Sequence, residues 1–542
     1  MEMDEPARKA REHFSRARRE AFEKGLAIAR IGKRGAASVI FSRSGLVALL
    51  LLCQALLLVA VSVWLMPWAS RFYLASAAVA AVAVLGIINS RMDSTAKITW
   101  LFLILLVPVF GILFYLYIRT DIGHRRLRRS AQRIMHSTRN ALKQDPDTMR
   151  ELRNAGSDIA GLVLYLRRTG CYPAWRNERS EYLASGEAFF ESILHAIRSA
   201  KKFVFLEFFI IEDGLMWGRI LEALAEKARS GVDVRVLYDG TCEFTKLPSG
   251  YPEILGKLKI RARVFSRIHP FVSTRYNYRD HRKILVVDGR VAYTGGVNLA
   301  DEYINHIRPF GEWKDAALKV EGKAAASFTL MFLQMWHAED EWAEPGLLLE
   351  LPEESGPKEA RGFVIPFGDN PMDREKAGEN LYIDMISRSN TYVHVMTPYF
   401  IPDGELESAL KFAAARGVDV KIILPGASDK PILHELCLSF CASLIESGVK
   451  VYRWVPGFVH SKVMVSDGTK AIVGSVNLDY RSLYHHFECG AYLYKAPAVL
   501  EAERDISETL KCCVPVTLAS LRNRPFWRKA AGALLRTIAP LL

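Results

Sequence analysis

The sequence predicts an α/β protein built as two duplicated α/β lobes that share one site, preceded by an N-terminal α-helical apolar segment. Three observations carry this. Helix and strand patterns alternate twice, and the tetrad Gly231, Val232, Asp233, Val234 recurs as Gly417, Val418, Asp419, Val420, each time after a helix and before a strand. A polar motif also occurs twice with equal spacing. Finally, three nearly uncharged runs stand before residue 120, each long enough to reach across a hydrocarbon core.

A chain of 542 residues is too long for one core. Half of its residues are hydrophobic, which excludes disorder as the default. Lys and Arg total 72 against 59 acids, a net charge of +13, so the chain favours an anionic partner. The eight cysteines are scattered, with no C-x-x-C and no Cys/His spacing of a zinc site. Idle thiols suit a reducing compartment and place the polar part on a cytoplasmic face.

Residues 1–43 are polar and basic. Residues 44–120 read as a transmembrane anchor of two or three helices, from the runs 46–66, 72–90 and 98–118. In the last run Trp100, Tyr115 and Tyr117 stand where interfacial aromatics would sit. Basic residues flank the anchor on both sides, so the positive-inside rule asks for an even number of crossings. The two runs nearest the lobes satisfy it, with 46–66 left open.

Residues 121–184 form a charged connector, and 185–345 the first lobe. Within it 189–199 and 215–229 have helical spacing, while 203–211 and 232–238 read as strands. The stretches 284–287 and 291–293 form a hairpin about Asp288 and Gly289, and 324–341 is helical. Residues 346–375 are rich in Pro and Gly and read as a linker. The second lobe, 376–542, restarts the order with helices at 381–389 and 405–415 and strands at 392–396 and 418–424.

The repeated motif carries the chemistry. His281, Lys283, Asp288, Gly296 and Asn298 recur with the same spacing as His460, Lys462, Asp467, Ser475 and Asn477. Two residues apart on an extended chain, each His and Lys share one face. Asn298 and Asn477, with Gly296 and Ser475 beside them, close the return strand and bring phosphate-binding donors to that face. The two Asp fall an odd number of residues from their His, at the turn, so within the catalytic motif they serve to fix the hairpin. An imidazole ringed by cationic donors, without a carboxylate cluster to bind metal, suits a phosphoryl centre. Glu207, Tyr399 and Asp403 are further candidates to line the pocket, while His485 and His486 read as structural.

The pattern HxKxxxxD followed by GGxN or GSxN, present twice, resembles the phospholipase D superfamily. Residues 95–117, with Pro108 and Gly111 interrupting the run, resemble the membrane segment of bacterial cardiolipin synthases. Residues 277–289 (NYRDHRKILVVDG), 397–404 (TPYFIPDG) and 534–542 are also similar to that family. The resemblance covers residues 71–542. It implies two phospholipase D-like lobes at a bacterial inner membrane, multi-pass, with the catalytic part cytoplasmic and no cofactor.

The implied reaction is phosphatidyl transfer between two phosphatidylglycerol molecules, giving cardiolipin and glycerol. By the resemblance His281 attacks phosphorus to form a phosphatidyl-histidine, and His460 is first acid and then base. A carboxylate downstream of each His orients it, and the matching positions are Asp315 and Glu488, the latter expected to serve His460. The implied partners are phosphatidylglycerol and anionic membrane lipid. A hydrolase, or a transferase using another alcohol, differs only in the acceptor. A nuclease would explain the charge but needs no anchor, so nucleic acid is not expected. A non-catalytic scaffold would let the motifs decay, and both are intact. The sequence leaves the oligomeric state open.

Overall fold

Asp288 and Gly289 adopt positive φ of 53° and 66°, and Asp467 and Gly468 repeat this at 53° and 62°. A turn with two such residues matches the right-handed twist of flanking strands. Each therefore closes a hairpin, Lys283–Val287 with Val291–Gly295 and Val463–Ser466 with Lys470–Gly474. The computed structural model describes residues 52, 56, 69–90, 92–120, 125–248, 250–267, 278–338, 361–373 and 375–541. The basic segment 1–43 and, but for residues 52 and 56, the run 46–66 lie outside the described residues, as do 346–360 of the expected linker.

The hairpins stand inside two sheets of one design. The first sheet runs Arg179–Leu183, Ala317–Glu321, Val291–Gly295, Lys283–Val287, Phe203–Phe208, Asp233–Asp239, Arg261–Phe265. The second repeats its last six places with His486–Tyr494, Lys470–Gly474, Val463–Ser466, Tyr392–Met396, Asp419–Pro425, Lys450–Trp454. Along both series the first three pairings are antiparallel and the next two parallel. A parallel pair needs a crossover, and the helices Leu215–Arg229 and Gly404–Ala415 supply it in the two lobes.

Part of the expected connector and linker is sheet. Phe363–Asp369 pairs along its length with His486–Tyr494, and Trp175–Arg176 adds to its other flank at Val364 and Phe363 only. The prolines and glycines that suggested a linker hide this strand. Beyond its two-residue outer pairing it is an edge, where a Pro such as Pro366 is tolerated.

The lobes also exchange strands. Gly457–Val459 of the second pairs in parallel with Glu312–Lys314 of the first. Arg279–Asp280 of the first pairs in parallel with His486 and Phe487 of the second. The described residues within 126–267 and 278–536 accordingly form one compact unit. At its centre the helix Ala325–Trp336 is buried on every side, and Phe332 stacks on Phe205 at 4.7 Å between ring centroids.

The other compact unit contains helices Ala69–Ile88, Ser94–Leu106 and Pro108–Thr120. The run 98–118, expected to be one crossing, is broken instead. Pro108 has no N–H to continue the first helix, and the chain folds back so that Trp100 meets Phe114 at 5.6 Å and Tyr115 at 5.2 Å. A Cβ on Gly111 would lie 2.7 Å from the Leu103 carbonyl oxygen, so only glycine permits this approach. Each half has 13 residues, about 20 Å of helix at 1.5 Å per residue and short of a hydrocarbon core of about 30 Å. Among the described residues no helix is long and apolar enough to cross a membrane. Trp100 and Tyr115, expected at an interface, are buried against one another.

Candidate active site

The exchanged strands decide what each histidine meets. The His281 N–H donates to the Phe487 carbonyl at 3.0 Å, and the His460 N–H to that of Lys314 at 2.7 Å. The residue after Phe487 is Glu488, and the residue after Lys314 is Asp315. His281 Nδ1 therefore lies 2.9 and 3.1 Å from the two Glu488 oxygens, and His460 Nδ1 lies 2.6 Å from Asp315 Oδ2. This reverses the expected pairing. Each carboxylate serves the histidine of the other lobe, because the strand that carries it adds to the other lobe's approach to His. Both histidines precede regular strand, which starts at Lys283 and Val463.

The two lysines fold back on their own histidines. Lys283 Nζ donates to the His281 carbonyl, and Lys462 Nζ to that of His460. Lys462 Nζ also lies 2.8 and 3.0 Å from the two ring nitrogens of His460. Burial pushes Lys283 down to about 8 and Lys462 down to about 7, although Glu488 and Asp315 respectively pull them back. Burial likewise holds His281 well below its usual value, and burial with Lys462 holds His460 at about 4. Burial would raise the two carboxyls, yet His281 beside Glu488 and His460 beside Asp315 outweigh it and keep both low. Burial thus favours the neutral form of both imidazoles, while each imidazole's pull on its carboxylate partner favours the anion.

The remaining motif residues divide between site and scaffold. Gly296 makes room for Asp315, whose carboxylate a Cβ would overlap. The Ser475 hydroxyl donates to Glu488 Oε2 and accepts from the Cys489 N–H at 3.0 Å, so it holds the carboxylate instead of pointing to a phosphate. Asn298 accepts from the Ile210 N–H at 3.1 Å and donates to the Tyr303 hydroxyl at 2.7 Å. Among the described residues Asn477 Oδ1 has no hydrogen-bond partner.

Asp288 accepts from the N–H groups of Lys201, Lys202 and Phe203 at 2.7–2.9 Å, and Asp467 from those of Asn390, Thr391 and Tyr392 at 2.9–3.0 Å. Both tie their hairpin to the strand beside it. The three pocket candidates are committed elsewhere as well. Glu207 pairs with Arg282 at 2.7 Å. The Tyr399 hydroxyl donates to Asp429, and Asp403 accepts from the Leu406 N–H as the N-cap of Gly404–Ala415.

Sequence reasoning missed two environments. The Arg282 side chain points away from His281 into a buried pair with Glu207 and Asp280, a role its odd offset from His281 could have signalled. His460 is walled by Tyr303, Trp313 and Phe458 at 5.3, 5.3 and 5.8 Å, whereas His281 meets Phe209 at 4.9 Å and His486 at 5.2 Å. Among the described residues two groups could hold a metal ion: His281, His486 and Glu488, and Glu379, Asp403 and Glu405.

Residues 193–336 and 382–510 match the family described as cardiolipin synthase, PLD-like domain. The chain belongs to this phospholipase D-type cardiolipin synthase family. Residues 78–119 match a second family, described as phospholipase D-nuclease N-terminal. A cardiolipin synthase of Alkalihalophilus pseudofirmus is 33% identical over 452 residues, covering 83% of this chain and 89% of the relative. An uncharacterised protein of Streptococcus mutans is 46% identical over 462 residues, 85% of this chain and 99% of the relative. A phosphatidylserine synthase from Haemophilus influenzae shares the fold, with a TM-score of 0.55 at 16% identity, covering 71% of this chain and 98% of that one. The charge of Lys283 reaches His460, and those of Lys283 and Glu488 reach Lys462, so the two histidine motifs stand close together.

Proposed function

We propose that the chain moves a phosphatidyl group from one phosphatidylglycerol to another, releasing glycerol and forming cardiolipin. The crossed pairing of two buried histidines with two carboxylates carries this reading. A carboxylate on Nδ1 places the proton there and leaves the lone pair on Nε2. Nε2 of His281, held neutral by burial, attacks phosphorus, and the phosphorus–oxygen bond to glycerol breaks. His460, protonated when the anionic substrate enters, gives its proton to the departing glycerol oxygen. It then takes the proton from a hydroxyl of the second phosphatidylglycerol, whose oxygen attacks phosphorus and frees His281. Covalent catalysis of this kind divides one displacement into two easier ones. Lys283, Lys462, Asn298 and Asn477 hold the non-bridging oxygens.

The site would work at a bacterial cell membrane, with the lobes on the cytoplasmic side and an anionic lipid surface as partner. In one compact unit Leu74, Val82, Leu105 and Leu106 are each at least 60% exposed. In the other, Phe526 and Trp527 are exposed beside Arg528 and Lys529, an apolar and cationic face suited to an anionic interface.

Purified full-length protein offered phosphatidylglycerol labelled in its phosphate, in vesicles, tests the reaction. Labelled cardiolipin with stoichiometric glycerol is expected. Phosphatidic acid as sole product would mean that water is the acceptor and would overturn the reading.

A further inference from the structure

His486 stands two residues before Glu488, where the first lobe has Trp313 two before Asp315. The two rings occupy matching places, at 5.2 Å from His281 and 5.3 Å from His460. His486 is only 7% exposed, and among the described residues neither of its ring nitrogens has a hydrogen-bond partner. Its Nδ1 lies 3.7 Å from Glu488 Oε1, and His281 Nδ1 lies 2.9 Å from the same oxygen. The ligand atoms of all three residues fall within 4.8 Å of one another. In a tetrahedral Zn2+ site with Zn–N and Zn–O bonds of about 2.0–2.1 Å, neighbouring ligand atoms stand about 3.4 Å apart. That spacing falls between the 2.9 and 3.7 Å separations and within the 4.8 Å bound on the third pair, so small side-chain rotations complete the set.

We propose that His281, His486 and Glu488 form a site for a divalent transition-metal ion such as Zn2+, and that the bound ion reversibly blocks the enzyme. The blocking step rests on His281 being the nucleophile. A metal on Nδ1 takes that nitrogen's lone pair, so the proton of the neutral ring moves to Nε2. Nε2 then has no lone pair for phosphorus. Two imidazoles and a carboxylate are a ligand set that zinc favours, with a fourth position open to water. The other half of the site cannot act this way, because Trp313 offers no lone pair in place of His486. The control is therefore one-sided, and the metal is no part of turnover.

Full-length protein in phosphatidylglycerol vesicles, with ZnCl2 added, provides the test. Wild-type synthesis is expected to fall at micromolar Zn2+ and to return with EDTA. His486→Asn and His486→Phe are expected to keep their rate in EDTA within about threefold and to need at least about tenfold more Zn2+, the scale on which a lost metal-site residue acts. Co2+ supplies a readout free of activity, through visible bands of tetrahedral intensity in the wild type that both variants lose. Variants with wild-type Zn2+ sensitivity, or a wild type without those Co2+ bands, overturn the proposal. If the wild type makes no cardiolipin even in EDTA, the proposed reaction falls, and the Co2+ bands still decide the metal site.

Discussion

Lys462 shows how far burial sets the chemistry of single residues. An ordinary lysine stays cationic to about pH 10, but burial brings Lys462 down to about 7 against the pull of Asp315. The lowered value means charge below it and neutrality above it. An anionic phosphodiester needs the cation, so kcat/KM is expected to fall as pH rises through about 7. kcat, measured with the anion already bound and holding the proton, should fall at higher pH, since kcat/KM reports the free enzyme and kcat the complex. Parallel pH profiles check this, and a kcat/KM that stays level to about pH 9 would contradict it. The His and Lys pairs were legible in the sequence because two residues on extended chain must share a face. The lowered lysine values were not, since burial belongs to the assembled site. His486 is a similar case: beside Glu488 in sequence it resembles a structural residue, and only the fold sets it against His281.

At the scale of elements, the two hairpins are held by Asp288 and Asp467, each accepting three backbone N–H groups at the entry to the neighbouring strand. Asp288→Ala removes these bonds, two of them from exposed N–H groups that water can take over, and is expected to lower unfolding free energy by about 1 kcal/mol. Its kcat/KM should remain within about threefold of wild type under folding conditions. Denaturant midpoints beside specific activities measure both. A large loss of kcat at unchanged stability would instead place Asp288 in the chemistry. The alternation of helix and strand was readable because its periodicity is local, and Leu215–Arg229 and Tyr392–Met396 have the bounds the pattern suggested. Two elements were not readable. Composition alone hides the strand Phe363–Asp369, whose pairing partner lies more than a hundred residues away. Apolar length alone turned 98–118 into one span, although Pro108 and Gly111 together fold it into a hairpin.

For the whole molecule, the duplication explains the site only together with the exchanged strands. Repeats read along the chain suggest that each motif supplies its own carboxylate. The parallel pairings of Gly457–Val459 with Glu312–Lys314 and of Arg279–Asp280 with His486 and Phe487 cross those partners over. No local pattern announces such a pairing, so the partners of Asp315 and Glu488 were not legible in the sequence. Neither lobe then holds a complete histidine–carboxylate unit alone, and in the proposed mechanism the two half-reactions depend on carboxylates from opposite lobes.

A rapid-mixing burst assay with the p-nitrophenyl ester of phosphatidic acid, phosphatidylglycerol as acceptor and EDTA present tests this most directly. p-Nitrophenolate leaves without a proton, so in the proposed mechanism the burst reports attack by His281 alone and the later steady rate deprotonation of the acceptor by His460. Glu488→Gln is expected to slow the burst at least about tenfold, on the scale by which misorienting a catalytic imidazole costs rate. Asp315→Asn should leave the burst and slow the steady rate, with His281→Ala giving no burst and His460→Ala a burst that stalls. A burst lost in Asp315→Asn and spared in Glu488→Gln would contradict the crossed assignment.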